Sequence, residues 1–163
     1  MRYRGDMVDA APSSADLRRL MQRLFRRFGA LSSDRTPCGK PLPVGYAHAL
    51  MVLLGSGALS QQELGRELCI DKSNVARLCA KMVEAGHVVQ CADAVDGRVR
   101  RVLLTRQGEA LAREVDAASS ARFGDLLEAL PRARRAGVVS ALDDLVRAVE
   151  ALPAADVDER NVS

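Results

Sequence analysis

The sequence predicts a mainly α-helical fold: a winged helix-turn-helix, α-helices with a small β-hairpin wing, flanked by further helices at both ends. Three observations predict it. Two capped amphipathic helices meet at a tight turn over residues 60–84. A D-G turn directly after them joins two short β-branched runs. The remaining apolar residues recur mostly at i, i+3, i+4 and i+7, the spacing of one helical face. Composition agrees: aromatics make up 3% and Trp is absent. The core must therefore be built from Leu, Val, Ala and Met, which favours helices.

In chain order, residues 1–12 read as a disordered N-terminus. A helix begins at Ser13 with Leu17, Leu20, Met21, Leu24, Phe25 and Phe28 as one buried stripe, and Arg18, Arg19, Arg23, Arg26 and Arg27 on its other faces. The Gly, Pro and Ser content of "GALSSDRTPCGKPLP" marks a loop. A second helix covers about 44–54. Ser60 and Glu63, three residues apart, form a capping box that opens a short third helix with Leu64 and Leu68 facing inward. Cys69 and Ile70 make the tight connection. Asp71 caps a fourth helix whose inner face is Val75, Leu78, Cys79 and Met82, and Gly86 stops it. "HVVQC" and "RVRRVLL" are two strands around "ADAVDG", whose D-G pair is a hairpin signal. Thr105 caps a fifth helix that runs to about Ala129, Pro131 breaks it, and a sixth helix carries Val138, Leu142, Leu145, Val146 and Val149. Residues 153–163 read as a flexible tail.

The first and last helices carry wide apolar stripes that a winged-helix core can use only in part. Uncovered stripes point to a partner helix. The expected organisation is one domain over 13–152, with the winged helix at about 43–104 and dimerisation helices at about 13–30 and 105–152.

The net charge of +3 is too small to identify a partner. Its placement says more. A helix that enters a major groove needs short polar residues near its N-terminus and basic residues along its outer side. Lys72, Ser73, Asn74 and Arg77 occupy the first two turns of the fourth helix, and Lys81 follows one turn on. Asn pairs bidentately with adenine and Arg with guanine. Arg98, Arg100 and Arg101 cluster after the D-G turn, where a narrow minor groove attracts inserted Arg. Asp96 stands two residues before Arg98, close enough to orient it.

These stretches, "LSQQELGRELCIDKSNVARLCAKMVEAGHV" followed by "DGRVRRVLLTRQG", resemble the MarR family of bacterial transcription regulators. The matching motifs are Asp-x-Arg at Asp96 and Arg98, Leu-Thr-x-x-Gly at Leu104 to Gly108, and Asp-Lys-Ser-x-Val-x-Arg at Asp71 to Arg77. The resemblance covers about residues 15–150. It implies a homodimeric repressor on a pseudo-palindromic operator in double-stranded DNA, released by a small aromatic or lipophilic effector. It also implies that Ser73, Asn74 and Arg77 approach bases, that Lys81 and Ser60 approach phosphates, and that Arg98 enters the minor groove. Where many relatives carry Thr or a similar polar residue before the helical Arg, this chain has Ala76, so its operator preference is its own. The implied effector pocket lies between the first, second and fifth helices, where the matching positions include Arg23, Arg26, His48 and Met51.

A thiol switch is the alternative within the same fold. Cys38, between Arg35 and Lys40, is the redox candidate, because positive neighbours favour thiolate. Cys69 and Cys79 are expected to pack, and no cysteine spacing suits a zinc knuckle. A winged helix that binds protein alone has no need of a pointed arginine. Catalysis is not expected: His48 and His87 sit in no catalytic motif, and neither a phosphate-binding glycine loop nor H-E-x-x-H occurs. Cofactors and metals are not called for. Without a signal-type or spanning apolar run, the expected location is the cytoplasm, with no membrane partner.

Overall fold

The computed structural model describes residues 11–93 and 99–153. The expectations for the two termini, the D-G turn, Asp96 and Arg98 lie outside the described residues. The described chain falls into two compact units that divide after Arg122.

The first unit opens with α1 (Ser14–Phe28). The Ser13 hydroxyl accepts from the Asp16 amide at 3.1 Å, and Asp16 reaches back to the Ser13 amide. Hydrogen bonds from Ser13 and then Arg19 hold the Asp16 carboxyl down to about 2. Gly29, with φ of 82°, ends the helix. The apolar stripe of α1 forms as expected, but it is not buried: Leu17, Leu20, Leu24 and Phe25 are 40–54% exposed. Other residues fill the core, and the stripe stays about half exposed among the described residues.

That core gathers around α2 (Val44–Ser56), whose Ala47, Ala49, Leu50 and Leu53 are buried. Leu64 of α3 (Gln61–Glu67) joins it, as do Val75, Cys79 and Met82 of α4 (Lys72–Glu84). Val88 of β2 (Val88–Ala92), Val102 of β3 (Arg100–Leu104), and Ala112 and Val115 of α5 (Arg106–Glu128) complete it. Each fully buried Leu, Val or Met contributes roughly 1.5–3 kcal/mol. Burial raises the Cys79 thiol pKa, consistent with a packing role. Cys69 does not pack as expected. It is exposed, with φ of 53°, because the short connection between Glu67 and Lys72 needs a left-handed residue and turns its side chain outward.

Two strands were expected and three form among the described residues. β1 (Leu59–Ser60), too short to show a sequence pattern, pairs with β3. The order is β1-β3-β2, antiparallel throughout, with Val102 opposite both Leu59 and Gln90 and Arg101 opposite both Ser60 and Cys91. Thr105 caps α5: its hydroxyl accepts from the Gly108 amide at 3.0 Å and donates to the Gly86 carbonyl at 2.6 Å. The hook ties α5 to the turn that ends α4.

The second unit contains the end of α5 from Phe123, a 3-10 turn at Arg132–Arg134 after Pro131, and α6 (Arg135–Glu150). The Arg135 guanidinium donates to the carbonyls of Leu130 and Glu128, which closes the turn. Val139, Leu142, Val146 and Val149 of α6 are about half exposed or more. No described helix is long and apolar enough to cross a membrane.

Candidate nucleic-acid interface

The helix-turn-helix is α3, the Leu68–Ile70 connection and α4. Gly65 lets the two helices meet: a Cβ there would stand 3.3 Å from the Ile70 carbonyl and 3.4 Å from Val75. Buried Val75, Cys79 and Met82 fix which way α4 faces. Its opposite side is therefore set by the 3.6-residue period. Lys72, Ser73, Asn74, Arg77 and Lys81 are all exposed on α4, together with Ala76. The sequence placed these residues together, and the fold keeps them together.

The first turn of α4 carries a chain of polar contacts. Asp71 accepts from the Asn74 amide at 2.7 Å and from the Asn74 carboxamide nitrogen. The Asn74 carboxamide oxygen accepts from Arg77 Nη2 at 2.5 Å. Asn74 is thus engaged at both ends of its side chain, which the sequence did not suggest. The Asn74 amide above all holds the Asp71 carboxyl below its ordinary range. A carboxyl with a lowered folded-state pKa stabilises α4 fully above its ordinary pKa and loses that contribution as pH falls through the lower value. Following the Asn74 amide by NMR should give a midpoint below that of an ordinary aspartate. A midpoint at or above that would mean the cap does not hold in solution.

A cleft of about 910 Å³ runs between α3, the start of α4 and the sheet. Gly65 and Val75 are its buried members, and Arg66, Lys72 and Arg100 bring three positive charges to it. Arg66 was not singled out by sequence. It stands in the last turn of α3, a place where Arg also serves merely as a helix-end charge.

Arg100 and Arg101 part company. Neighbours in a strand face opposite ways. Arg100 is exposed and lines the cleft. Arg101 turns into an internal network: Nε donates to Asp93 at 2.5 Å and Nη1 to Glu63 at 2.9 Å. The hydrogen bond to Asp93 first, and then the Glu63 charge, raise its pKa. Glu63 also accepts from the Ser60 amide at 2.7 Å, and the Ser60 hydroxyl accepts from the Glu63 amide at 3.2 Å. Arg101, expected at the DNA, thus has two of its five N–H donors engaged by carboxylates.

The other expected sites differ in standing. Arg23 and Arg26 lie on exposed positions of α1, His48 is exposed on α2, and Met51 packs partly against the core. None of the four lines the 910 Å³ cleft. Cys38 is half-buried, and its sulfur stands 3.0 Å from the Thr36 hydroxyl. Lys40 pairs with Glu114 at 3.1 Å and Arg35 donates to the Gly39 carbonyl at 3.2 Å. Both cations expected to activate the thiol therefore have other partners. Among the described residues no cluster of His, Cys, Asp and Glu suits a metal ion.

Residues 41–99, the α2-to-wing segment, match the sequence model of the MarR family. No curated protein matched. A probable transcriptional regulator from Pseudomonas aeruginosa superposes with a TM-score of 0.68 at 23% identity, over 79% of this chain and 96% of its own. The Bordetella bronchiseptica regulator BpsR, solved in a study of how 6-hydroxynicotinic acid regulates its DNA binding, gives 0.65 at 22%, over 87% and 98%. The PcaV transcriptional regulator from Streptomyces coelicolor, in complex with its natural ligand, gives 0.60 at 25%, over 89% and 96%.

Proposed function

We propose that the chain is a MarR-family, sequence-specific DNA-binding transcription regulator, a reading supported by the family match over residues 41–99. It acts as a homodimeric repressor that a small molecule releases from a pseudo-palindromic operator. The exposed basic edge of α4, flanked by the cleft that holds Arg66, Lys72 and Arg100, carries this reading. Ser73 and Arg77 meet base edges in the major groove. Lys72, Lys81 and Arg100 meet phosphates. The Ser60 hydroxyl, which accepts within its capping box, keeps its proton to donate to a phosphate. Arg98, oriented by Asp96, enters the minor groove.

Dimerisation is supported by apolar side chains left open on α1 and, separately, on α6. Copies related by a two-fold axis would cover them. An effector is supported by the relatives: PcaV was solved with a natural ligand, and the study of BpsR concerns regulation of its DNA binding by a small acid. The effector class proposed for this chain is a small aromatic or lipophilic compound near Arg23, Arg26, His48 and Met51.

Selection of genomic fragments by the purified protein should return a two-fold-symmetric consensus, and aromatic acids should release it. Affinity for that consensus should fall with salt, with a log–log slope of about −0.9 for each phosphate neutralised. Arg98→Ala should weaken binding more than tenfold while the dimer persists. A flat salt response, with no fragment enriched, would leave a protein-binding winged helix instead.

A further inference from the structure

The network around Arg101 joins four parts of the reading domain. Asp93 directly follows β2, and its amide donates to the Val99 carbonyl at 2.8 Å, which closes the base of the wing. Arg101 lies in β3, Ser60 opposite it in β1, and Glu63 in the first turn of α3. One guanidinium spans Asp93 and Glu63, which lie 30 positions apart in the chain. The Arg101 side chain is one-third exposed and that of Asp93 only 15% exposed, so water screens this pair less than a fully open one.

We propose that Arg101 is a positioning residue for DNA recognition: it clamps the base of the wing to α3 and so fixes the angle between wing and reading helix. The clamp rests on the DNA-binding reading above and adds a division of labour between adjacent arginines. Arg100 faces the cleft and meets the nucleic acid, while Arg101 faces inward and holds the frame. Glu63, bonded to Ser60, and Asp93, on the same guanidinium, would otherwise oppose binding by repelling phosphate. Their presence there is explained if they hold an arginine whose geometry matters more than its charge. Arg suits the task because its planar fork can reach two acceptors at once, which a Lys ammonium on a flexible stem does poorly.

The sign of a charge change tests this. Glu63→Gln keeps the capping box, since Gln also serves at that position, but removes the ion pair. Asp93→Asn removes the other carboxylate. Each takes a negative charge away from the DNA side, so electrostatics alone predicts tighter operator binding. The clamp predicts the reverse: each should weaken binding about threefold to tenfold, as should Arg101→Lys, with the salt slope of the wild type retained. Circular dichroism and melting of each variant should match the wild type, which separates positioning from unfolding. Glu63→Gln combined with Arg101→Ala should be no weaker than Arg101→Ala alone. The clamp is overturned if the carboxylate variants bind as well as or better than wild type. It is equally overturned if Arg101→Lys keeps full affinity while Arg101→Ala lowers the salt slope by about 0.9, the mark of a direct phosphate contact. Wild-type protein that enriches no fragment would instead remove the DNA-binding reading, and the clamp with it.

Discussion

Gly108→Ala is expected to lower the melting temperature by roughly 10 °C. A Cβ at this position would lie 1.8 Å from the His87 carbonyl oxygen and 2.8 Å from its carbon, both backbone atoms. Neither side can yield easily. The His87 amide donates to the Met82 carbonyl at 2.9 Å, and its carbonyl accepts from the Thr105 amide at 3.0 Å. Its ring nitrogen Nδ1 is 2.6 Å from the Tyr46 hydroxyl, and the next residue, Val88, is buried opposite Leu104. Helix α5 would have to lift away, breaking the Thr105 hook and uncovering Ala112 and Val115. Overpacking of this kind costs about 3 kcal/mol or more, against a total stability of roughly 5–15 kcal/mol. Gly124→Ala, in the same helix, is the control. A Cβ there meets nothing within 4 Å, and replacing a helical Gly by Ala gains up to about 1 kcal/mol. Thermal or urea unfolding should therefore shift in opposite directions for the two variants. A melting point for Gly108→Ala within about 2 °C of wild type would mean that the two backbones are not in contact.

The same residues show which features the sequence displayed and which it hid. Leu104-Thr105-x-x-Gly108 was visible as a motif, and the contact with His87 supplies its reason: a threonine that hooks back and a glycine that clears the strand it hooks. Ser60, Asp71 and Thr105 are caps in the structure as the sequence predicts, and Ser13, expected as the start of the first helix, caps it. A cap is a hydrogen bond between residues two or three apart, so its partners lie within one quoted stretch. The inner face of α4 was legible for a similar reason, since Val75, Cys79 and Met82 follow the helical period. Arg101 was not legible. Which of two adjacent strand arginines faces inward depends on register against β1 and β2, and Glu63 lies 38 positions away in the chain. Local patterning likewise located the stripe on α1 but could not say what covers it. The expected burial at Cys69 failed because a tight connection imposes a backbone angle that no side-chain preference reveals.

Arg77→Ala is expected to weaken operator binding on the order of 100-fold, the upper part of the range for a bidentate arginine–guanine pair, and to erase preference at one base position. The guanidinium has five N–H donors, and Asn74 takes one of them. The rest of the fork stays available, already aimed by a side chain that Asp71 holds in turn. Pre-aimed groups lose less freedom on binding, which favours a fixed arginine over a mobile one. Asn74 stands differently. Reading adenine needs its carboxamide oxygen and nitrogen together, and here one accepts from Arg77 while the other donates to Asp71. Asn74→Ala should therefore produce a smaller loss at the same base position as Arg77→Ala, and the double variant should bind no worse than Arg77→Ala alone. Arg77→Lys should fail to restore the lost preference, since a point charge cannot reproduce the fork. Selection of randomised operators by each variant gives the base preferences directly. Losses at two separate positions that add in the double variant would make Asn74 an independent reader and break the chain from Asp71 to Arg77.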